Sequence, residues 1–406
     1  MDIIREQYLK KLRKYYDSSL VKVLTGIRRC GKSVLLQQVK EEILREGKTT
    51  SDHIIVINFE DLAFAKITNC QKLNAYVLKR ITDGDKYYVF LDEIQHVRQF
   101  ERALASLKAM QNVSLFVTGS NSKMLSGKLA SLLVGRCKEF KIMPFSYAEY
   151  REYLSINGLT VENPLQNYLR LGGMPQRLDY DSEEDAREYL RSLYDGIVNK
   201  DICHAKSKIV KESFDAIARY VITNCAKEFS STNVAEVYSR ENGDPLFRPV
   251  VYRYLEKMEQ AFLISRAPRY DIASKRNLKT VEKQFAMDNG LILACSTTNQ
   301  ISPSHALENL VYNELKYRGY EVFLGKTYKG EIDFVAMKGG KKCFIQVAYS
   351  LADEAVAERE FSAYDSVRDQ SPKYVMSLDT FDMSRNGVIH LNIEDWLMGK
   401  AELFLS

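Results

Sequence analysis

The sequence of 406 residues predicts an α/β protein whose amino-terminal part is a parallel sheet with helices on both faces. Three observations support this prediction. Strand and helix patterns alternate up to about residue 144. The run 87–91 is continuously apolar, as expected for a strand buried on both faces of a parallel sheet. A glycine-rich turn at 26–33 joins a β-rich run to a segment with helical spacing, and ligands of such sheets bind at the carboxyl ends of the strands.

Five strands are predicted for this sheet, with helical stretches between them. The run before the glycine-rich turn is β-rich and apolar, and the run after it carries apolar residues at helical spacing. The predicted strands are 20–25, 53–60, 87–91, 114–118 and 137–142, and two of the predicted helices are 34–44 and 100–110.

Residues 26–33 have the sequence G-I-R-R-C-G-K-S, which is a complete phosphate-binding loop. The two glycines permit a tight turn that points main-chain N–H groups at phosphate oxygens, and Lys32 supplies a point charge to the β- and γ-phosphates. The Ser33 hydroxyl can bind Mg²⁺. A strand before the loop and a helix after it distinguish this segment from a chance match, so the chain is predicted to bind ATP or GTP. The predicted nucleotide contacts are Gly26, Ile27, Arg28, Arg29, Cys30, Gly31, Lys32, Ser33 and Val34.

An acidic pair follows the predicted strand 87–91. Asp92 is predicted to hold Mg²⁺ through water, and Glu93 is predicted to be the general base that polarises the attacking water. A polar cap at a strand end is the alternative for such a pair, but strand, acid pair and phosphate loop occur together here. Glu93 therefore favours hydrolysis of the nucleotide over binding alone.

One further strand end and one helix end carry candidates for the same nucleotide site. Ser120 and Asn121 follow strand 114–118, where one of them, preferably Ser120, can sense the γ-phosphate or orient water; an ordinary turn is the alternative. Arg136 follows a predicted helix end at 132–134. It can reach the γ-phosphate of a neighbouring subunit as a trans-acting finger, or it can cap the helix at the surface.

Composition limits the class of protein only weakly. The length allows roughly two to four domains, and the net charge of +5 is weak support for a nucleic-acid partner. We find no apolar leader and no apolar run long enough to span a bilayer, and the seven cysteines are scattered without a C-x-x-C pair. A cytoplasmic protein with reduced thiols and no membrane contact is expected. Cys30 in the loop is interpreted as a small filler rather than as an oxidant-sensitive group.

From about residue 145 the strand patterns stop and helical patterns follow. Three of these predict a helical lid on the nucleotide domain. Three later helices are followed by a β-like pair, and this order is that of a winged helix-turn-helix. The lid helices are predicted at 145–159, 164–171 and 182–200, and the β-like pair is predicted at 262–270 and 279–285.

Basic residues lie on the last helix and on the hairpin of this winged helix, where they can contact DNA phosphates. Asp271, Glu256 and Glu259 dilute the charge, and winged helices also serve as packing modules, so DNA contact and packing both remain open. The candidate DNA contacts are Arg248, Arg253, Lys257, Arg266, Arg269, Lys275 and Arg276.

The segment 300–406 is predicted to be a separate α/β unit. Glu308 on its helix can converge with Asp333 and Gln346 on two of its strands to hold a metal ion. The predicted helix is 306–318, and the predicted strands include 320–324, 330–336 and 343–348.

Five segments together resemble the AAA-type P-loop ATPases of the STAND-like branch in bacteria and archaea. They are G-I-R-R-C-G-K-S, V-F-L-D-E-I-Q, T-G-S-N-S, L-V-G-R and I-M-P-F-S-Y-A-E-Y. The resemblance covers essentially the whole chain, and it implies ATP rather than GTP and a C-terminal domain similar to PD-(D/E)XK nucleases. It also implies that Pro175, in the element G-G-M-P, lies near the nucleotide, and it favours Ser120 as the sensor and Arg136 as the finger.

The C-terminal segment departs from the nuclease pattern. An active enzyme of that type needs an acid and then a lysine two residues on, where this chain has Gln346 and Ala348. Lys341 or Lys342 could supply the missing charge, but both also fit a turn. A degenerate module that binds DNA or a protein partner without cutting is therefore expected.

The predicted architecture is a P-loop parallel-sheet ATPase core with a helical lid, a winged helix and a C-terminal α/β nuclease-like domain. The leading hypothesis is a homo-oligomeric, Mg²⁺-dependent ATP hydrolase whose cycle is coupled to DNA. The alternatives are an ATP-controlled switch that acts on protein partners and an ATP-gated nuclease. The predicted domains are the core at 1–145, the lid at 146–208, the winged helix at 209–290 and the nuclease-like domain at 300–406.

Overall fold

The computed structural model describes residues 2–122, 135–203, 209–227, 229–243, 245–297, 302–328 and 330–404. The chain divides into two compact units. The amino-terminal unit comprises residues 2–143 together with 260–262, and the carboxyl-terminal unit comprises residues 144–259 and the chain from residue 263 onward. Each unit is built around its own sheet.

The sheet of the amino-terminal unit has five parallel strands in the order β2-β3-β4-β1-β5. Every residue of β3 and β4 is buried, which explains the continuous apolar run at 87–91 in β3. The predicted α/β fold class is confirmed, and the strand bounds agree with the prediction to within about two residues. The strands are β1 Val21–Thr25, β2 Ile54–Asn58, β3 Tyr87–Asp92, β4 Val113–Gly119 and β5 Cys137–Lys141.

Helices connect these strands. The helix after the phosphate-binding loop begins at Lys32, so the lysine belongs to its first turn and not to the loop before it. The predicted helix end at 132–134 lies outside the described residues. The described helices of this unit are Glu6–Leu12, Lys32–Arg45, Cys70–Leu78 and Phe100–Lys108.

A lysine lies inside this sheet, where the sequence pattern predicts apolar residues. Lys22 of β1 is fully buried, and its Nζ donates to Ser114 Oγ of β4 over 2.7 Å. The same ammonium group lies 4.4 Å from the centre of the Phe116 ring. Burial lowers the pKa of Lys22 to about 7.

The carboxyl-terminal unit begins with helices whose starts are fixed by local sequence. Ser146 and Glu149 form a capping box on the first helix, and Asn163 caps the second, which begins with proline. The predicted helix 182–200 ends at Ile197 and continues as a π-helical turn. The described helices of this part are Tyr147–Ile156, Pro164–Leu171, Glu183–Ile197, Lys211–Thr223, Ser231–Asn242 and Arg248–Gln260.

The sheet of the carboxyl-terminal unit has seven strands in the order β12-β11-β10-β9-β8-β6-β7. The predicted hairpin forms as the antiparallel pair β6 and β7, but β6 also pairs in parallel with β8. The hairpin is therefore not a free wing, and the expectation of a separate sheet in the last segment needs correction. The strands are β6 Ile264–Asp271, β7 Arg276–Ala286, β8 Glu321–Lys326, β9 Glu331–Lys338, β10 Lys341–Val347, β11 Lys373–Ser377 and β12 Ile389–Asn392.

Apolar cores cover both faces of this sheet. One core contains Phe285 of the hairpin, Tyr312 and the buried Trp396. The rings of Phe285 and Tyr312 stack with their centres 4.0 Å apart. The other core lies under the helix that carries Phe361. The remaining described helices are Asn289–Cys295, Pro303–Tyr317, Glu354–Ser362 and Ile393–Leu397.

Among all the helices described above, none combines the length and the apolar character needed to cross a membrane.

Candidate nucleotide site and carboxylate cleft

The phosphate-binding loop starts directly after β1, and its shape requires glycine at both ends. A Cβ atom on Gly26 would lie 2.1 Å from the main-chain oxygen of Ile142. Gly31 has a φ of +94° and is the N-cap of the helix that begins at Lys32, and no side chain in the described part of the chain caps this helix. The N–H groups of the first turn are therefore available to an anion, which is the arrangement that a triphosphate requires.

Lys32 folds back onto its own loop. Its Nζ donates to the main-chain oxygens of Gly26 and Ile27 over 3.1 Å and 3.0 Å. The same nitrogen lies 3.8 Å from Oε1 of Glu93. The predicted phosphate-binding cation and the predicted general base therefore meet at one point of the amino-terminal unit.

The other predicted loop residues differ in exposure. Cys30 is fully buried, burial raises its thiol pKa, and its Sγ donates to the main-chain oxygen of Ile142 over 3.4 Å, which supports the interpretation as a filler. Arg28 forms an ion pair with Glu60 over 3.6 Å. Arg29, Ser33 and Val34 are exposed, and Ile27 is buried.

The acidic pair lies where the sequence places it, at the end of β3. Asp92 is the last residue of the strand, and Thr118 of β4 donates its hydroxyl to Asp92 Oδ1. The Glu93 main-chain N–H donates to the same Thr118 oxygen over 2.9 Å. Glu93 adopts a left-handed backbone with a φ of +53°, an uncommon conformation that is frequent at functional sites. Both acidic residues are more than 90% buried.

Ser120 is fully buried beyond the end of β4, and Asn121 beside it is half-buried. The side chain of Gln95 joins Ser120 to Glu93. Its Nε2 donates to Glu93 Oε2 and, over 3.3 Å, to Ser120 Oγ. Gln95 is the last residue of the segment V-F-L-D-E-I-Q, but no role was predicted for it from the sequence.

Arg136 lies at the opposite end of the sheet from the loop. It is exposed and precedes β5, and its main-chain oxygen accepts a hydrogen bond from Val21, the first residue of β1. The loop follows the last residue of β1, about 13 Å away at 3.3 Å per residue. Arg136 is therefore not placed to contact a nucleotide in the loop of its own chain. Its action on a neighbouring subunit stays a prediction.

Arg5 is a second residue that the sequence does not reveal. Its guanidinium is almost completely buried, and Nη1 donates to the main-chain oxygens of Cys30 and Met143 over 3.2 Å and 2.9 Å. The group also stacks on the Tyr8 ring at 4.6 Å. Arg5 thus ties the phosphate-binding loop to the segment after β5.

Pro175 begins a 3₁₀ turn in the carboxyl-terminal unit, and its contact with the nucleotide stays a prediction. The glycines before it have a local structural role. Asp288 accepts hydrogen bonds from the N–H groups of Gly173 and Gly290 over 2.7 Å and 2.8 Å. A Cβ on Gly172 would lie 1.8 Å from Asp288 Oδ1, and burial raises the pKa of Asp288 to about 6.

Glu308, Asp333 and Gln346 line one cleft of about 590 Å³, and their binding of a metal ion stays a prediction. Gln346 Oε1 accepts from the Asp333 N–H over 2.6 Å, and Asp333 Oδ2 accepts from the Val347 N–H over 2.8 Å. Burial, together with the neighbouring Asp333 carboxylate, raises the pKa of Glu308 to about 8. Burial also raises the pKa of Asp333 to about 6.

One residue that lines this cleft, Glu360, and one that contacts Glu308 from outside the lining, Lys283, were not predicted from the sequence. Glu360 on the helix Glu354–Ser362 accepts from Gln346 Nε2 over 3.0 Å and supplies a third carboxylate. Lys283 of β7 is almost buried, and its Nζ lies 3.1 Å from Glu308 Oε1. The lysine considered for this role, Lys342, instead pairs with Asp369 over 2.6 Å, and neither Lys341 nor Lys342 lines the cleft.

The candidate DNA contacts divide into engaged and exposed residues. Arg266 donates to Glu259 over 2.9 Å, and Arg269 forms an ion pair with Glu331 of β9, so both are neutralised inside the fold. This finding corrects the expectation that they offer free positive charge on a wing. Lys257 is half-buried, and the exposed candidates are Arg248, Arg253, Lys275 and Arg276.

Family models match two parts of the chain. Residues 18–151 match an AAA domain, and residues 162–302 match a domain of unknown function (DUF8612). The first match contains the loop, the acidic pair and Arg136.

Relatives extend along the whole chain. An uncharacterized protein of Haemophilus influenzae is 30% identical over 400 residues, which cover 98% of each chain. An uncharacterized protein of Methanocaldococcus jannaschii is 29% identical over 358 residues, which cover 85% of this chain and 78% of the relative. A Walker-type ATPase of Pyrococcus abyssi superposes with a TM-score of 0.52 and 16% identity, covering 73% of this chain and 96% of the other. The P-loop ATPase fold predicted from the sequence is therefore confirmed.

Proposed function

We propose, from the premise that this chain belongs to the same family as the uncharacterized Haemophilus influenzae protein and carries an AAA domain, that it hydrolyses ATP with Mg²⁺. The observation that carries the proposal is the pairing of Lys32 and Glu93, 3.8 Å apart, beside a helix N-terminus that none of the described side chains caps. A cation for the phosphates and a carboxylate for the attacking water thus share one site.

Each residue then has a defined task. Main-chain N–H groups of the loop bind the phosphates, Lys32 neutralises their charge, and Glu93 accepts a proton from water. Ser33 and Asp92 would hold Mg²⁺, which supplies further charge neutralisation of the β- and γ-phosphates when bound. Ser120, at the neighbouring strand end, would sense the γ-phosphate.

Substitution of Glu93 tests the hydrolysis. We expect Glu93→Gln to keep ATP bound and to lower kcat by about 100-fold or more, since a positioned base contributes that much. Phosphate release gives kcat, and titration with a fluorescent ATP analogue gives the affinity. Lys32→Ala should lose ATP binding. Glu46 is exposed at the end of the helix Lys32–Arg45, which we call the loop helix, so Glu46→Gln should behave as the unaltered protein. Turnover that persists in Glu93→Gln contradicts the assignment of the base.

Arg136 is proposed to act across an interface between subunits of a homo-oligomer. It lies at the end of the sheet remote from its own loop, so a head-to-tail arrangement would bring it to the next subunit. Arg136→Ala lacks the finger and Glu93→Gln lacks the base, so we expect a mixture of the two inactive variants to recover hydrolysis. A mixture without activity, or full activity of Arg136→Ala alone, rejects this role.

Coupling to DNA is the finer part of the proposal. Its support is the exposed basic set Arg248, Arg253, Lys275 and Arg276 in the predicted winged helix. We expect DNA affinity to fall as salt rises, and hydrolysis to quicken with duplex, single-stranded or branched DNA. Binding that is absent at low salt, with a rate indifferent to DNA, removes this part. Retained ATP with slow turnover would then favour the switch that acts on protein partners.

A metal-dependent phosphodiesterase in the carboxylate cleft is a second candidate. The observation that favours it is the presence of Glu360 and Lys283, which supply the carboxylate and the lysine that the sequence pattern lacks. Carboxylate and amide oxygens are the ligand types that Mg²⁺ and Mn²⁺ prefer, but the Glu308, Asp333 and Glu360 oxygens do not all lie within 4.8 Å of one another, so these side chains would have to move closer to hold an ion. Cleavage of DNA that needs one of these ions and is abolished by Asp333→Ala supports this activity. No cleavage with either ion leaves the expected degenerate binding module.

A further inference from the structure

Gln95 spans two strand ends of the proposed ATP site. Glu93 follows β3 and Ser120 follows β4, and these strands are neighbours in the sheet. One amide nitrogen, Nε2 of Gln95, donates both to Glu93 Oε2 and to Ser120 Oγ. The proposed base and the proposed sensor of the γ-phosphate are thus connected through a single side chain.

The orientation of this amide is set by the two groups that it joins. A glutamine has donors on its nitrogen and an acceptor on its oxygen, so the nitrogen must face the Glu93 carboxylate. The opposite orientation would place two acceptors against each other. As a result, Gln95 Oε1 is buried and has no hydrogen-bond partner among the residues that the structure describes. The orientation of the amide is therefore determined by its two acceptors, Glu93 and Ser120, and not by a partner of its oxygen.

The base itself is held at both ends. Its main-chain N–H donates to Thr118 Oγ1 over 2.9 Å in the left-handed conformation, and its carboxylate receives the Gln95 amide. Lys32 lies on the other carboxylate oxygen at 3.8 Å. Removal of Gln95 would therefore release one oxygen of the carboxylate while leaving the loop and its lysine in place.

We propose that Gln95 is a positioning residue of the ATP site, which fixes the Glu93 carboxylate and makes its position depend on the Ser120 hydroxyl. This inference rests on the proposed hydrolysis of ATP. When Ser120 turns toward a γ-phosphate, its hydrogen bond from Gln95 breaks, and the amide is then free to move with the Glu93 carboxylate. Gln95 then transmits the presence of the γ-phosphate to the base without touching either the nucleotide or the water.

A double-mutant cycle tests this role. Gln95→Met keeps the length of the side chain and removes both hydrogen bonds, and Ser120→Ala removes the other end of the connection. We expect Gln95→Met to lower kcat by about 10- to 100-fold, as misplaced catalytic groups do, with ATP affinity and KM unchanged within about twofold. The double variant should be less impaired than the product of the two single effects, because both substitutions break the connection between Ser120 and Glu93.

The controls separate this role from a structural one. Gln37 also donates its amide to a glutamate, Glu41, over 2.6 Å, but on the exposed surface of the loop helix, so Gln37→Met should leave kcat unchanged. Gln95→Asn retains the amide on a shorter stem and should recover part of the rate if the methionine variant folds poorly. Melting temperatures identify variants that are merely unstable.

The outcomes distinguish the inference from its premise. If the unaltered protein binds ATP without hydrolysing it, the proposed function falls and the role of Gln95 falls with it. If the unaltered protein hydrolyses ATP and Gln95→Met retains its kcat, only the inference about Gln95 is wrong. Effects of Gln95→Met and Ser120→Ala that multiply in the double variant also overturn it, because they would show two independent contributions.

Discussion

At the scale of single residues, the buried Lys22 makes the stability of the amino-terminal unit depend on pH. Its folded-state pKa is about 7, below the ordinary value for lysine in an unfolded chain, about 10.4. Between these values the unfolded chain binds a proton that the folded chain does not. Stability therefore rises with pH from about 7 upward, and below pH 7 the charged group is buried at its full cost.

Substitution of Lys22 should reveal this cost. Lys22→Met removes the charge, and Ser114 keeps its hydrogen bond to the Tyr16 main-chain oxygen over 2.5 Å. We expect the free energy of unfolding of the variant, relative to that of the unaltered protein, to be about 2–4 kcal/mol higher at pH 6 than at pH 9.5. Urea unfolding at the two pH values would measure this difference. Lys138, exposed and directly opposite on β5, provides the control substitution Lys138→Met. An equal difference at both pH values contradicts the argument.

The residues of the candidate sites show what local sequence can and cannot reveal. Lys32 and Glu93 were predictable because each follows a strand within a recognisable local pattern. Lys283 and Glu360 were not, since they reach the carboxylate cleft from a hairpin and a helix far from Glu308 in sequence. Their charges have meaning only once the chain is folded. Arg5 escaped for the same reason, because its partners are main-chain oxygens, which leave no trace in composition.

At the scale of elements, the G-G-M-P segment shows how two elements are joined. Gly172 ends the helix Pro164–Leu171 with a φ of +72°, and Asp288 at the start of the helix Asn289–Cys295 lies where a Cβ would be. The helix termini are therefore locked together by a buried carboxylate that only a glycine admits. This joint explains the glycines without reference to a nucleotide.

An alanine at this joint should be strongly destabilising. Gly172→Ala adds a Cβ atom 1.8 Å from Asp288 Oδ1 in addition to the strain of a positive φ, so we expect a loss of about 3 kcal/mol or more. Gly319 has a φ of +84° with open space around it, and Gly319→Ala should lose only about 1 kcal/mol. Chemical denaturation of both variants measures the difference. Equal losses would show that backbone strain alone matters at Gly172.

The elements themselves were predicted unevenly. The parallel sheet was predictable because its central strands β3 and β4 are largely apolar runs followed by turn residues. The strands β11 and β12 and the short helix Ile393–Leu397 were not predicted, because their apolar runs are brief and do not show a clear period. The pairing of β6 with β8 was also beyond sequence reasoning, since a parallel contact between distant segments has no local signature.

At the scale of the whole molecule, the shared seven-stranded sheet predicts how the chain responds to truncation. A chain that ends after residue 297 lacks β8 and the helix Pro303–Tyr317, so Phe285 loses its stacking partner. We expect this variant to aggregate or to unfold without a cooperative transition in its carboxyl-terminal unit, while residues 2–143 retain their own core. Circular dichroism and limited proteolysis measure both parts. A sharp, separate transition for residues 144–297 would restore the view of independent domains.

The ion pair between Lys283 and Glu308 has a mechanical consequence. The lysine belongs to the hairpin and the glutamate to the helix Pro303–Tyr317, so the distance between them depends on how the hairpin lies against that helix. If the hairpin moved away from that helix by a few ångströms, Glu308 would lose the ammonium group that neutralises it. The carboxylate cleft would then bind cations from solution more strongly.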